Sequence, residues 1–232
     1  MRVRAKPKRA PIEPEAVVRT ALEILDAKGL EHVTLREIAS RLGVKAPALY
    51  WHFKDKQDLV EDMAHFILKD ARIDEIQMPK DIHSWAEWLA DVARSMRRAL
   101  LSHREGGRVV AGATFFRARS LASLAILANR VTKEAGFDVA HAHLAVAVVF
   151  DYVWGYVIEE QAGFGPEPED RSPEAAERYE KAMESVFQSD FGPQMKILNE
   201  AVRDMDSLTP DERFEWGLQV IITGLKAALK AA

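Results

Sequence analysis

The chain reads as all-α, a small N-terminal helix-turn-helix unit joined to a larger helical domain, and three observations carry that reading. Apolar residues recur at helical spacing through segment after segment, and no alternating run competes as a strand. Thr34 to Lys56, TLREIASRLGVKAPALYWHFKDK, spells two short helices about a glycine and ends in aromatic and basic residues. The net charge of −4 hides a split: residues 1–58 hold 12 Lys and Arg against 8 Asp and Glu, a net of +4, while the remainder holds 20 against 28. Positive charge therefore lies with the helix-turn-helix, as a nucleic-acid reader requires.

Composition bounds the function classes. A chain of 232 residues with 48% hydrophobic content can bury a sizeable core. With no cysteine, neither a disulfide framework nor a thiolate metal site is possible, and a reducing cytoplasm is the expected compartment. The N-terminus begins with charges and lacks the apolar stretch of a secretory signal. The longest apolar run, Leu144 to Ile158, contains Asp151 and falls short of the roughly 20 residues of a membrane span, so a buried core helix is expected there.

Taken in order, residues 1–13 form a flexible basic arm. Arg2, Arg4, Lys6, Lys8 and Arg9 precede the first acidic residue, Glu13, among Ala and Pro without periodicity. Such an arm neutralises phosphates beside a duplex or enters its minor groove. Pro14 opens the first helix, whose stripe of Val17, Ala21, Ile24 and Leu25 stops at Gly29. Thr34 and Glu37 make a capping box that starts the second, each side chain serving the other's N–H. Ile38, Ala39 and Leu42 face inward, Gly43 supplies the positive φ of a sharp exit, and Val44 closes the turn. Pro47 suits the start of a third helix, with Leu49 and Phe53 inward and Tyr50, Trp51, His52, Lys54 and Lys56 outside. The helix-turn-helix domain thus spans 14–58 and the larger domain 59–232.

Asp55 is a suitable N-cap for a fourth helix, running through Leu59, Met63, Phe66 and Ile67 to about Ala71. Pro79 and Asp81 mark the next start, followed by a broad apolar face from Trp85 and Trp88 to Leu100. His103-Arg104-Glu105-Gly106-Gly107 breaks the pattern, and a short helix through Val109 to Ala111 ends before Gly112. Two long helices follow, Thr114 to Ala135 and Asp138 to about Ala162, joined at Gly136; the second is apolar nearly all round, as a helix buried on several sides should be. Gly163 to Arg171 has the composition of an exposed loop. Ser172-Pro173-Glu174 and Gly192-Pro193 start further helices, the latter ending near Met205. Thr209-Pro210-Asp211-Glu212 is a second capping box, opening a last helix with Phe214, Leu218, Ile221, Ile222, Leu225 and Leu229 at helical spacing.

Leu49-Tyr50-Trp51-His52-Phe53, with Pro47 before it and Lys56 after it, resembles the third helix of the tetracycline-repressor (TetR) family of transcriptional regulators. His103-Arg104-Glu105-Gly106, Glu159-Glu160-Gln161 and Leu218 to Leu225 are similar to segments of that family's ligand-binding domain, so the resemblance runs from about Pro14 to the C-terminus, dense at first and sparse later. It implies a ligand-binding and dimerisation domain behind the reader, and a homodimer on a double-stranded DNA operator. Two recognition helices in successive major grooves stand about 34 to 36 Å apart, which makes the operator palindromic. Helices 138–162 and 209–230 are the apolar surfaces for the dimer, a four-helix bundle in the family.

By resemblance and by chemistry, Thr34, Arg36, Lys45, Ala46, Pro47, Ala48, Tyr50, Trp51, His52 and Lys56 are the candidate DNA contacts, joined by Arg2, Arg4 and Lys6 from the arm. Arg36 suits a guanine edge or a phosphate, and Ala46 and Ala48 suit thymine methyls. Tyr50, Trp51, His52 and Lys56 are better placed for phosphates. Ala46 and Ala48 stand where related repressors carry Gln and Thr, so a different operator is implied.

For the effector, the positions that surround a metal–tetracycline complex in the family fall on Val92, Met96, Val110 and Ala113. The metal-holding histidine corresponds to Val110, which cannot coordinate. The expectation is a metal-free small molecule, hydrophobic or aromatic, among Trp88, Val92, Met96, Val110, Ala113, Phe115, Phe116, Val146 and Phe150. Asp151 needs a partner within its apolar helix: a ligand, the dimer mate, or water. His141 and His143 lie on different helix faces, so no shared metal is expected, and no nucleophile, base and oxyanion set points to an enzyme or a cofactor. A ligand-responsive repressor is the leading reading; an activator or a ligand-independent regulator of the same fold is its rival, ahead of an enzyme with an attached reader.

Overall fold

A computed structural model describes residues 13–72, 85–113, 118–162 and 207–231, with positions 177, 181, 184–189, 192–195 and 197. The arm with Arg2, Arg4 and Lys6, the start at Pro79 and Asp81, Phe115 and Phe116, the loop 163–171, the start at 172–174 and the end near Met205 lie outside them. Every described element is helical. We name α1 Pro14–Lys28, α2 Leu35–Arg41, α3 Lys56–Asp70, α4 Trp85–Leu101, α5 Gly106–Ala111, α6 Ala118–Ala135, α7 Val139–Gln161 and α8 Pro210–Ala231.

The chain divides into two compact units, residues 1–76 with 94–123 and residues 77–93 with 124–232. In the first, α1 buries Val17, Ala21, Ile24 and Leu25 completely and ends at Gly29, whose φ is 89°. Thr34 Oγ1 accepts from the Glu37 N–H at 3.1 Å and starts α2. Only half of the expected capping box forms, because Lys28 Nζ draws the Glu37 carboxylate to 3.1 Å and Arg41 Nε lies 3.5 Å from it. α2 ends in a Schellman motif: Gly43 has φ 63°, its N–H reaches Ser40 O at 3.2 Å and the Val44 N–H reaches Ala39 O at 2.9 Å.

The third helix is shorter and tighter than its pattern suggests. Ala46–Ala48 form a 3-10 turn, with Ala48 N–H on Lys45 O and Leu49 N–H on Ala46 O. Turns then carry the chain to Phe53, whose N–H bonds Leu49 O at 3.0 Å. Leu49 and Phe53 are buried as expected, and Asp55 Oδ1 caps α3 on the Asp58 N–H at 2.8 Å. α3 sets Leu59, Met63 and Ile67 into the core and packs on α1 and α5.

In the second unit α7 is not buried on several sides. Ala142, Val146, Val149, Val153 and Val157 are inside, but Leu144 is 60% exposed and Val148 and Asp151 are exposed with it. Positions 144, 148, 151 and 155 share one helix face, so neighbours within the chain cover one side of α7 and leave the other open. At 23 residues α7 is also longer than its central apolar run, and by length and composition it passes for a membrane span, yet its inner face packs on α8. Tyr152 Oη donates to Phe214 O at 2.8 Å and Tyr156 Oη to Pro210 O at 2.6 Å. The second capping box is complete: the Thr209 N–H donates to Glu212 Oε2 at 2.8 Å and the Glu212 N–H to Thr209 Oγ1 at 3.2 Å.

Candidate functional site

The buried pair Leu49 and Phe53 turns the rest of the segment between Lys45 and Lys56 outward. Trp51 is 89% exposed, and Tyr50, His52, Lys45 and Pro47 are exposed with it; Ala46 and Ala48 are half-buried at the 3-10 turn. Arg36 is exposed in the first turn of α2. The Trp51 indole is held almost wholly in water, with the Tyr50 ring beside it in sequence also exposed. Two expected contacts are engaged within the chain. Thr34 Oγ1 caps α2, and Lys56 Nζ donates to Leu30 O at 3.1 Å.

Electrostatics on α2 follow from its ion pairs. The hydrogen bond and charge of Lys28, with Arg41 behind it, hold the Glu37 carboxyl below its ordinary value. This carboxylate is exposed, so the effect is screened by solvent.

A second set of polar contacts joins the helix-turn-helix to the turn between α4 and α5, all inside the first unit. Glu105 Oε1 accepts from the Leu30 N–H at 3.0 Å. Asp26 accepts from the Arg104 N–H at 2.9 Å and lies 3.0 Å from His103 Nδ1. Gln57 Nε2 donates to Gly112 O at 2.8 Å. Asp26, Gln57 and Glu105 carry no motif that marks them for this role, since each partner lies 55 to 78 residues away.

Of the effector candidates, Trp88, Val92, Val146 and Phe150 are buried in the second unit, and Met96, Val110 and Ala113 are buried in the first. Asp151 is exposed on the open face of α7. The Arg130 guanidinium lies 5.9 Å from the centre of the Trp88 ring, and Phe150 meets Trp154 at 5.9 Å. Among the described residues no three His, Cys, Asp or Glu side chains gather to hold a metal ion.

Residues 17–63 match the family model for bacterial regulatory proteins of the tetR family, and residues 78–229 match that for the tetracyclin repressor-like C-terminal domain. The chain belongs to the TetR family. It is 35% identical to the tetracycline repressor protein class A from transposon 1721 of Escherichia coli, over 92% of this chain and 90% of the relative. A possible TetR family transcriptional regulator from Streptomyces coelicolor A3(2) superposes with a TM-score of 0.73 at 31% identity, covering 93% of this chain and 100% of that one. BioQ, solved with its natural double-stranded DNA operator, superposes with a TM-score of 0.59 at 25% identity, covering 93% and 99%. As a TetR-family member the chain is a helix-turn-helix, DNA-binding transcriptional regulator with a tetracycline repressor-like ligand-binding domain. Regulators of this family bind their operators as dimers.

Proposed function

We propose that this TetR-family regulator is a cytoplasmic repressor, released from a palindromic operator by a small apolar or aromatic effector that needs no metal ion. The observation that carries the first half is the exposed Trp51, flanked by Tyr50 and His52 on a segment pinned from below by Leu49 and Phe53. In this reading Arg36 reaches a base edge or a phosphate, Lys45 to Ala48 meet the bases, and Tyr50, Trp51 and His52 set the register on phosphates. Arg2, Arg4 and Lys6 add non-specific grip.

Dimerisation supplies the second reader. The open face of α7, with Leu144 and Val148, and the exposed Trp216 and Val220 of α8 offer apolar area that the rest of the chain leaves in contact with water. Asp151 lies within that face, which favours a contact with the mate across the interface.

The effector half rests on Val110. A buried valine offers no lone pair to a metal, and Val92, Met96 and Ala113 are equally apolar and buried. Trp88, Val146 and Phe150 give an aromatic or greasy molecule surface to contact, with Phe115 and Phe116 as further candidates. Reversing a 99:1 preference between two states takes about 5.5 kcal/mol of differential binding, which such contacts can supply. TetR-family regulators are not ordinarily enzymes, and no catalytic role is assigned to any residue.

Gel shifts on DNA upstream of the chain's own gene, with and without a panel of hydrophobic compounds, test both halves. Tight binding relieved by one compound class is the expected result, and absence of tight binding to any DNA overturns it.

A further inference from the structure

Leu30 lies in the 3-10 turn Leu30–His32 between α1 and α2, and both polar groups bordering it are engaged from distant parts of the chain. Glu105 Oε1 accepts from its N–H at 3.0 Å, and Lys56 Nζ donates to its C=O at 3.1 Å. Glu105 does this from a left-handed backbone, φ 55° and ψ 23°, which a non-glycine residue keeps only where its surroundings hold it there. Its other oxygen takes Arg108 Nη1 at 2.6 Å, which fixes the carboxylate. The site is also shaped around glycine. A Cβ on Gly29 would stand 2.7 Å from Glu105 Oε1, and one on Gly106 would collide with the Leu100 carbonyl.

We infer that Lys56 and Glu105 are positioning residues that clamp Leu30 from two sides, and that Lys56 serves operator binding through this clamp instead of through a phosphate. The inference rests on the DNA-binding reading above. The flanking contacts brace the same joint: Asp26 holds the Arg104 N–H at 2.9 Å, and Gln57, next to Lys56, holds Gly112 O at 2.8 Å. Leu30 leads into Thr34 and the first turn of α2, where Arg36 stands. Loosening the clamp therefore shifts the reading residues without removing a charge from the DNA contact.

That distinction is measurable, because each lost phosphate contact lowers the salt slope of log K by about 0.9 while a positioning loss leaves the slope alone. Operator affinity of the full chain is measured against salt concentration for Lys56→Met, Lys56→Arg, Glu105→Ala and the double variant Lys56→Met with Glu105→Ala. Lys56→Met and Glu105→Ala are each expected to weaken binding about tenfold, as loss of a charge-assisted hydrogen bond does, at unchanged slope. Lys56→Arg, which still donates to Leu30 O, restores affinity, and the double variant loses less than the two singles together because they share one target. A slope reduced by about one in Lys56→Met, with additive losses, overturns the role given to Lys56. Hydrogen exchange of the Leu30 amide reads the clamp without DNA. Faster exchange in Glu105→Ala is expected, and unchanged exchange overturns the clamp. Wild-type protein that binds no DNA overturns the repressor reading, and with it the operator role drawn here.

Discussion

Tyr152 of α7 donates its phenol hydrogen to the Phe214 carbonyl of α8 at 2.8 Å, and the two rings stack with centres 5.5 Å apart. Tyr156 meets the same Phe214 ring edge-on at 5.3 Å, so one aromatic side chain on α8 is held by two tyrosines on α7. Gly217, one turn along α8, leaves the space that Tyr152 Oη fills. Gly217→Ala drives its Cβ into the Tyr152 phenol and costs about 1 to 3 kcal/mol, the usual range for overpacking. Thermal melts read that loss, and sedimentation reads the weaker self-association expected when the α7–α8 surface is disturbed. Tyr152→Phe in the same background recovers part of it by removing the clashing oxygen.

Acid stability reports the second capping box. Hydrogen bonds from the Thr209 N–H and hydroxyl hold the Glu212 carboxyl below its ordinary value. A lowered folded-state pKa means that the contribution is present above the unfolded value and is lost as pH falls through the folded one. Glu212→Gln should therefore be slightly less stable than wild type at neutral pH, the effect being small because the carboxylate is exposed and screened by solvent, with the gap closing as the pH falls below the ordinary carboxylate value. A gap that widens on acidification contradicts the assignment. Thermal midpoints across that fall in pH decide it.

Trp51 separates binding from folding. At 89% exposure its removal touches little of the protein, so Trp51→Ala should change stability by no more than about 0.5 kcal/mol. Fluorescence anisotropy with labelled operator should show affinity down by about tenfold or more, as for a truncated interface aromatic. Equal affinity would remove Trp51 from the interface.

Effector chemistry is tested at Val110. Tetracycline fluorescence titrated with the wild-type chain should show no magnesium-dependent enhancement, because the buried side chains of Val110, Val92, Met96 and Ala113 carry no oxygen or imidazole nitrogen for a hard magnesium ion. Val110→His should lower stability by about 2 kcal/mol or more, the cost of burying an unpaired imidazole, without creating magnesium dependence. Magnesium-dependent binding by the wild type contradicts the metal-free reading.

The helix ends follow from signals that lie close together along the chain. Thr34, Asp55 and Thr209 cap helices because each bonds an N–H three residues on. Gly43 and Gly136 end helices because their positive φ suits glycine, and Leu49 and Phe53 are buried because their spacing puts them on one side. These signals act within a turn or two of backbone, so the helices and the reader were legible along the chain.

Where the longer side chains go depends on how whole helices pack. Glu37 left its capping box for Lys28, Lys56 turned toward Leu30, and Glu105 crossed 75 residues to reach the Leu30 amide. The all-round apolarity of α7 does not say which face is covered, and packing on α8 covers one while Leu144, Val148 and Asp151 stay open. Hydrogen-bond partners and burial at such separations are fixed by the packing of whole helices, which spacing along the chain does not encode.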